Sequence, residues 1–309
     1  MFSVVIPLYN KEAHIAKTLD SVLSQTYSEF EIIVVDDGST DNGAPIVNSF
    51  DDARVKLFHQ ENAGVSTARN RGICEANFEY IAFLDADDFW DADYLLEMSH
   101  LIESSPGCGL YGSAYSVVDK SGCVIKDFKL PINYMHGNFL VKNYFKSLFE
   151  FGSFIWTSSV CVPKSVFYDF DIWFPVGQAY GEDQYVWSRI AMCKPVAYTA
   201  SVNSFYLIDA DNNTASKLES RVEPSPCILE LEVPGKEYLD KHSFSYLKKY
   251  LERHAVGSVR RNARNGRRLI AIRQLFAYRI SVGMFALCVV EIITFTSLRR
   301  ILKAVKDCF

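Results

Sequence analysis

The segment Tyr80–Leu84 is followed by three aspartates, Asp85, Asp87 and Asp88. An apolar segment of this length is typical of a buried strand in an α/β sheet, and such sheets bind ligands beyond the carboxyl ends of their strands. Carboxylates this close repel one another unless a cation or protons offset their charge. Since Mg²⁺ and Mn²⁺ favour carboxylate oxygens and commonly bridge to a diphosphate, this strand end is a candidate metal–diphosphate site. The alternative is a helix start, with Asp88 or Asp91 as its N-cap.

Polar clusters follow three further predicted strands. They are Pro7–Asn10 after the first strand, Asp36–Asp41 after the second and Asn62–Gly72 after the third. Turns are rich in Asp, Gly, Ser and Asn in any case, so one such cluster alone is weak evidence. If the strands are parallel, however, all four ends share one edge of the sheet. Together they indicate a nucleotide-diphosphate site.

Each cluster offers side chains suited to such a ligand. The carboxylate of Asp37 can accept an N–H of a nucleobase, and Tyr9 can supply an aromatic face or a polar rim. Arg69 or Arg71 can neutralise phosphate, because the guanidinium fork matches phosphate geometry. The alternative for both arginines is a solvated helix face. Asp87 is the first candidate for the metal ligand, ahead of Asp85 and Asp88.

A further acidic pair, Glu182-Asp183, follows Gly181 in an aromatic-rich stretch. Two acids at a helix start usually complement the helix dipole, and spacing alone favours that interpretation. A carboxylate near a bound diphosphate could instead act as a general base.

Alternating strand and helix patterns over residues 1–107 predict an α/β fold, with a mostly parallel central sheet and helices on both faces. From about residue 108 the regular alternation of strand and helix patterns ends. Cys108–Val118 and Cys123–Phe128 predict a hairpin, and Glu182–Cys193 predicts a helix. Asp209–Ser216 is a predicted loop. We expect one domain over 1–215, with halves 1–107 and 108–215, and a C-terminal helical extension over 216–309.

Four motifs carry a family resemblance: Val4–Asn10, Ile33–Asp41, Asn62–Gly72 and Phe83–Asp88. In order and spacing they resemble family 2 glycosyltransferases of the GT-A fold, inverting enzymes that use nucleotide-sugar donors. Gly181-Glu182-Asp183, with Trp187 and Arg189 after it, resembles the acidic motif on the acceptor side of that family. The resemblance extends over about residues 1–210.

The resemblance implies a role for each candidate residue. The nucleoside pocket would be lined by Pro7, Tyr9, Asp37 and Arg69. Asp85-Ala86-Asp87 would be the Asp-x-Asp motif that holds Mn²⁺ or Mg²⁺, with Asp87 the strongest ligand and Asp85 its partner. Asp183 would be the general base, with Glu182 the second choice. The donor expected from the resemblance is a UDP-sugar.

The charge distribution is asymmetric. The net charge is −5, yet residues 251–309 carry 12 Lys or Arg against 3 acids. Several arginines precede Ile280–Val290, an uncharged segment too short for a spanning helix, which needs about 20 residues. The pattern favours an interfacial helix on an anionic membrane surface, and a lipid-linked glycan as acceptor. A core helix with a basic solvated face, or a span that includes Glu291, is the alternative. The acidic body argues against nucleic acid.

The N-terminus enters a strand without a basic n-region, and none of the eight cysteines forms a Cys-x-x-Cys pair. Free thiols and a cytoplasmic location, peripheral on the inner face of the cell membrane, are therefore expected.

Two other functions remain open from the sequence. A haloacid dehalogenase-type phosphatase would use Asp85 as nucleophile and Asp87 as acid, although Phe89 stands where those enzymes usually carry Thr or Val. A non-catalytic module could also keep the nucleotide-sugar pocket without turnover.

Overall fold

The computed structural model describes residues 1–128, 130, 137–178, 180–208 and 221–306, with side chains described up to residue 294. The chain forms two compact units, Met1–Asn213 and Thr214–Phe309. The predicted domain boundary at residue 215 and the predicted loop Asp209–Ser216 lie outside the described residues.

The first half of the N-terminal unit is a four-stranded parallel sheet. Its strands have the spatial order β3-β2-β1-β4, and their bounds are β1 Phe2–Leu8, β2 Phe30–Asp36, β3 Val55–His59 and β4 Tyr80–Phe83. The connecting helices are α1 Ile15–Leu23, α2 Gly43–Asn48 and α3 Val65–Glu75. Every residue of β2 is buried, as expected for an apolar strand covered on both faces. Because neighbouring strands are parallel, their carboxyl ends meet at one edge.

The second half continues the same sheet with mixed pairing. Its strands are β5 Phe89–Trp90, β6 Leu110–Val118, β7 Val124–Phe128, β8 Asn138–Leu140, β9 Val160–Pro163 and β10 Val196–Leu207, and its helices are α4 Tyr94–Ser104, α5 Tyr144–Phe151, α6 Lys164–Asp169 and α7 Glu182–Cys193. Strand β9 is antiparallel to both β4 and β6, whereas β10 is parallel to β6. The sheet is therefore parallel through its first four strands and mixed beyond them.

The predicted N-cap at Asp88 or Asp91 is wrong. Helix α4 begins after Asp93, which makes no side-chain cap hydrogen bond. The short strand β5 lies between the aspartates and this helix, because Phe89 and Trp90 pair with Phe205 and Ser204 of β10. That pairing is remote in sequence, so local capping patterns could not predict it.

Helix α3 packs unusually close to β1. A Cβ atom at Gly72 would lie 2.3 Å from Cγ1 of Val5. The absence of a side chain at Gly72 therefore sets the distance between this helix and the sheet. Since α3 also carries Arg69, that distance helps to place the arginine at the strand ends.

The C-terminal unit is helical. Its helices are α8 Pro226–Glu230, α9 Glu232–Tyr238, α10 Lys241–Arg264, α11 Arg268–Ala277 and α12 Val282–Lys306. Helices α10, α11 and α12 share a small core that includes Val259, Leu275 and Cys288. Arg260 of α10 binds Glu291 of α12 at 2.7 Å. One arginine of the basic C-terminal region therefore neutralises the acid that follows the apolar segment Ile280–Val290. Within the described part of the chain, no helix combines the length and apolarity that a membrane span requires.

Candidate active site

The ends of β1, β2 and β4 and the start of α3 bring the predicted residues to one edge of the sheet. At the end of β2, Asp37 is almost fully buried. Its Oδ1 accepts hydrogen bonds from Gln60 Nε2 and the Ala63 amide, and its Oδ2 accepts one from the Gly64 amide. Asp37 thus fixes the loop that leads into α3. Each carboxylate oxygen can accept about two hydrogen bonds, so Oδ2 retains capacity for a ligand N–H.

The three aspartates after β4 have separate partners. Asp85 Oδ1 accepts from Arg69 Nη2 at 2.7 Å. Asp87 Oδ2 accepts from Lys11 Nζ at 2.6 Å. The repulsion expected from their spacing is therefore offset by two basic side chains in this structure. Burial and the charge of Asp85 raise the pKa of Asp87, while Lys11 opposes that rise.

Asp88 points away from this pair. Its Oδ2 accepts from Ser158 Oγ at 2.5 Å and from Trp156 Nε1 at 3.1 Å, and its Oδ1 accepts from the Leu207 amide. Full burial, together with the charges of Asp87 and Asp85, raises the pKa of Asp88 well above its usual value. Asp88 is thus an anchor between the strand end, the turn at residues 157–159 and β10, and its oxygens are engaged by the protein.

Arg69 links the two halves of the site. Its guanidinium is buried and binds Asp85 at 2.7 Å and Glu182 at 3.0 Å. The solvated-face alternative is therefore wrong for Arg69. Arg71 instead donates to the carbonyl of His59 and lies 3.6 Å from Glu75, which are contacts of the helix surface.

The two acidic residues at the start of α7 make different contacts. Glu182 is bound to Arg69, whereas Asp183 accepts from Thr157 Oγ1 at 3.2 Å and from the Gln184 amide at 2.7 Å. Burial, and next the charge of Glu182, raise the pKa of Asp183 to about 6, against the opposing effect of Arg69. Asp183 is therefore a stronger base than an ordinary aspartate.

Pro7 and Tyr9 lie at the end of β1. Pro7 is half-buried and faces Val35 across the sheet, and Tyr9 is 45% exposed. What links both residues to a nucleoside pocket is their position at the edge of the sheet where the strand ends meet.

Asp85 and Asp87 are the candidate ligands for a divalent cation at the strand ends. Among the described residues, no group of three or more His, Cys, Asp or Glu side chains converges as a metal site. Mg²⁺, however, is usually held by one or two carboxylates together with substrate phosphates and waters. Asp85 engages one carboxylate oxygen with Arg69, and Asp87 engages one with Lys11. Two carboxylates of this kind fit a metal that arrives with a diphosphate.

Three residues that contact the site's carboxylates were not predicted from the sequence: Lys11, Thr157 and Ser158. Lys11 directly follows the first polar cluster, and its adjacency to Asn10 was the available signal. Ser158 and Thr157 lie in a short 3-10 turn and touch Asp88 and Asp183, respectively. No local pattern identifies them, since each contact spans a long stretch of sequence.

Comparison with known proteins decides the family. Residues 3–154 match the model of the family described as Glycosyl transferase family 2. This segment of the chain belongs to this family. The matched segment contains the four motifs of the sequence analysis and ends just before the turn that carries Thr157 and Ser158.

Curated relatives are similar over part of their length. The uncharacterised glycosyltransferase EpsJ of Bacillus subtilis is 38% identical over 117 residues, which are 36% of this chain and 34% of EpsJ. The Escherichia coli enzyme WfgD, a UDP-Glc:alpha-D-GlcNAc-diphosphoundecaprenol beta-1,3-glucosyltransferase, is 37% identical over 145 residues, which are 46% of this chain and 56% of WfgD. The chain thus spans about a third to just over half of these proteins.

A solved structure shares the fold. Staphylococcus aureus TarS 1-349, crystallised with UDP-GlcNAc, superposes with a TM-score of 0.71 at 20% identity, covering 89% of this chain and 79% of that chain. The predicted α/β fold of GT-A type with C-terminal helices is thereby confirmed.

Proposed function

We propose that this glycosyltransferase is an inverting enzyme that moves a hexose or N-acetylhexosamine from a nucleoside-diphosphate sugar, specifically a UDP-sugar, to a hydroxyl of a glycan acceptor. The observation that carries the proposal is the buried Arg69, whose guanidinium joins Asp85 to Glu182. Arg69 thereby connects Asp85, one of the proposed metal ligands, to Glu182, which is adjacent in sequence to the proposed general base Asp183. TarS was crystallised with UDP-GlcNAc and WfgD is named for UDP-Glc, which supports the choice of donor.

Asp183 is the proposed general base. Its raised pKa of about 6 lets it accept a proton while it remains mostly ionised at neutral pH. Thr157 and the Gln184 amide hold its carboxylate in place. Glu182 is a poorer candidate because its Oε1 is bound to Arg69, and removing that ion pair would leave the arginine partly uncompensated.

The remaining residues are proposed to bind and orient the donor. Asp85 and Asp87 would hold Mn²⁺ or Mg²⁺, which, when bound, supplies Lewis-acid stabilisation of the departing diphosphate. Asp37, Tyr9 and Pro7 would line the nucleoside pocket. Asp183 takes the proton of the acceptor hydroxyl, whose oxygen attacks the anomeric carbon from the face opposite the diphosphate. A single displacement of this kind inverts the configuration and needs no covalent enzyme intermediate.

The proposed acceptor is a lipid-linked glycan at an anionic membrane surface, on the cytoplasmic side of the cell membrane. WfgD, by its name, acts on a diphosphoundecaprenol-linked sugar, which supports this class of acceptor. No role in nucleic acid binding is proposed, because the body of the chain is acidic.

An exposed apolar surface on α11 and α12 supports the proposal that the protein binds a membrane surface. On α11, Leu269, Ile272 and Phe276 are exposed at helical spacing, opposite the buried Ala271 and Leu275. These three residues and the exposed apolar residues of α12 form what we call the C-terminal apolar surface. Its members on α12 are Val282, Leu287, Val290 and Ile293. The rings of Phe276 and Phe285 are 5.4 Å apart, so the two helices are neighbours.

Basic side chains accompany this surface. Arg264, Arg273 and Arg279 are exposed on or beside α11. Exposed apolar residues flanked by arginines are the features of a helix that lies in the interface of an anionic membrane. The sequence placed this interface at Ile280–Val290, and α11 extends it toward the N-terminus.

Vesicle sedimentation tests the membrane partner. The double substitution Leu269→Gln and Phe276→Gln should weaken binding to phosphatidylglycerol-containing vesicles at least tenfold, since each side chain is worth about 1.5–3 kcal/mol on burial. Val124→Gln with Ile125→Gln is the matched control, because both are exposed apolar residues of β7 in the other unit. Equal vesicle binding by the two double variants would contradict the membrane proposal, as would a wild-type protein that does not bind anionic vesicles.

The catalytic proposal is tested with a panel of nucleotide sugars. Purified protein with Mn²⁺ should be thermally stabilised by one UDP-sugar and should release UDP from it when an acceptor is added. Stabilisation without UDP release on any acceptor tested would favour the non-catalytic binding module. Release of phosphate from simple monoesters would favour the phosphatase, although Asp85 is poorly suited to be its nucleophile while Arg69 holds it.

A further inference from the structure

Trp156 combines a fixed indole with partial exposure to solvent. Its Nε1 donates a hydrogen bond to Asp88 Oδ2 at 3.1 Å. The centroid of its ring lies 4.5 Å from that of Tyr206 and 6.1 Å from that of Tyr115. The indole is therefore held at its N–H edge and supported by two further aromatic rings. Trp90 and Trp187, by contrast, are buried in the core.

The backbone at Trp156 is fixed as well. Its amide donates to Ser159 Oγ at 3.0 Å, and its carbonyl accepts from the Ser159 amide at 2.9 Å. Because the backbone and the side chain are both held, the indole has little freedom left to lose when a ligand binds. A contact with it would therefore cost little conformational entropy.

The residues on both sides of Trp156 contact the first turn of α7. Before it, the carbonyl of Ile155 accepts from Gln184 Nε2 at 3.2 Å. After it, the hydroxyl of Thr157 donates to Asp183 Oδ2 at 3.2 Å. The main chain thus places Trp156 next to the carboxylate of the proposed general base.

A partly exposed indole in this position is suited to a sugar ring. A pyranose chair presents C–H groups on one face, and these groups are attracted to the negative face of an aromatic ring. Stacking also removes the apolar surfaces of both partners from water. The hydroxyl groups at the edge of the sugar stay accessible to polar side chains, which is the usual arrangement of a pocket with aromatic walls.

We propose that Trp156 is the platform on which the terminal sugar ring of the acceptor stacks, with its reactive hydroxyl turned toward Asp183. This inference rests on the proposed function, since the hydroxyl that Asp183 deprotonates belongs to the acceptor. Trp156 orients that hydroxyl and takes no part in the proton transfer itself.

Steady-state kinetics with octyl glycosides of glucose, galactose and N-acetylglucosamine as acceptors test the platform. Trp156→Phe and Trp156→Leu both lose the hydrogen bond to Asp88, but only Trp156→Phe keeps an aromatic ring. Trp156→Leu should raise the acceptor KM by about tenfold or more, and Trp156→Phe by only about twofold to threefold. The KM for the UDP-sugar should not change in either variant.

Trp173→Leu is the matched control. Trp173 is also partly exposed, and its indole Nε1 donates to Asp171 Oδ1 at 3.0 Å. The acceptor KM of this variant should equal that of wild type. Binding is followed without turnover by the ¹⁵N-indole resonances, with UDP and Mg²⁺ present. The Trp156 resonance, identified by its loss in Trp156→Phe, should shift when an octyl glycoside is added, whereas the Trp173 resonance should not.

The outcomes separate this inference from the function itself. Sugar transfer by wild type, with equal acceptor KM values in Trp156→Phe and Trp156→Leu, would overturn the platform and leave the function intact. A rise in the KM for the UDP-sugar alone would place the ring against the donor and would also overturn it. If wild type releases no UDP but the Trp156 resonance shifts, the transferase function fails and a sugar site remains. If the resonance does not shift either, both proposals fail.

Discussion

Replacing Arg69 by methionine removes the cation that Asp85 and Glu182 share. Both carboxylates would keep their charge in a poorly solvated position, and breaking a buried ion pair costs about 3–5 kcal/mol. For a unit of this size, each kcal/mol lowers the melting temperature by about 2–4 °C, so a loss of about 6–20 °C is expected. The loss should shrink in acid, where carboxylates take up protons.

Tryptophan fluorescence is a suitable assay for this effect, because all four tryptophans belong to the N-terminal unit. Arg71→Met is the control, since Arg71 lies on the helix surface and should cost less than about 1 kcal/mol. Arg69 also lowers the pKa of Asp183, so its removal should raise that pKa above about 6 and move the acidic limb of the pH–rate profile upward. A melting temperature within about 2 °C of wild type, with an unmoved acidic limb, would refute the role given to Arg69.

Two stability predictions follow from other parts of the fold. Gly72→Ala should cost about 1–3 kcal/mol by overpacking against Val5, and Val5→Ala in the same chain should recover part of the loss in a double-mutant cycle. Glu31→Gln should cost about 2 kcal/mol after allowance for solvent screening. Although burial opposes it, hydrogen bonds from Lys56, Ser3 and Asn77 lower the pKa of Glu31 from 4.5 to about 2. The wild-type advantage should therefore be full above pH 4.5 and vanish as the pH falls to about 2, as urea titrations at several pH values would show; a gap independent of pH would contradict this.

Local sequence patterns predicted the elements that are set locally. The apolar segments gave the parallel strands, and α7 has the predicted bounds Glu182–Cys193. The common edge of the strand ends followed from parallel pairing alone. The separate roles of Asp85, Asp87 and Asp88 could not be predicted, because they depend on partners that are remote in sequence. Ser158 is 70 residues from Asp88, and Glu182 is 113 residues from Arg69.

Other features of the fold and site also depend on contacts between residues that are remote in sequence. The strand β5 exists because β10 pairs with it, and a two-residue strand has no periodicity of its own. The choice between Glu182 and Asp183 as base depends on which one Arg69 binds, and a motif of two adjacent acids cannot show that. The apolar surface on α11 became visible only once its opposite face was seen to be buried.

In the proposed mechanism, Asp183 accepts the proton of the acceptor hydroxyl beside a donor held at the strand ends. A comparison of Asp183→Asn with Glu182→Gln, for sugar transfer and for UDP binding in the presence of Mn²⁺, tests this role. Asp183→Asn should reduce transfer by about 10²–10⁴-fold and leave UDP affinity within about twofold of wild type. Glu182→Gln should lose stability and retain more transfer than Asp183→Asn. Transfer that survives in Asp183→Asn and is lost in Glu182→Gln would show that Asp183 is not the base.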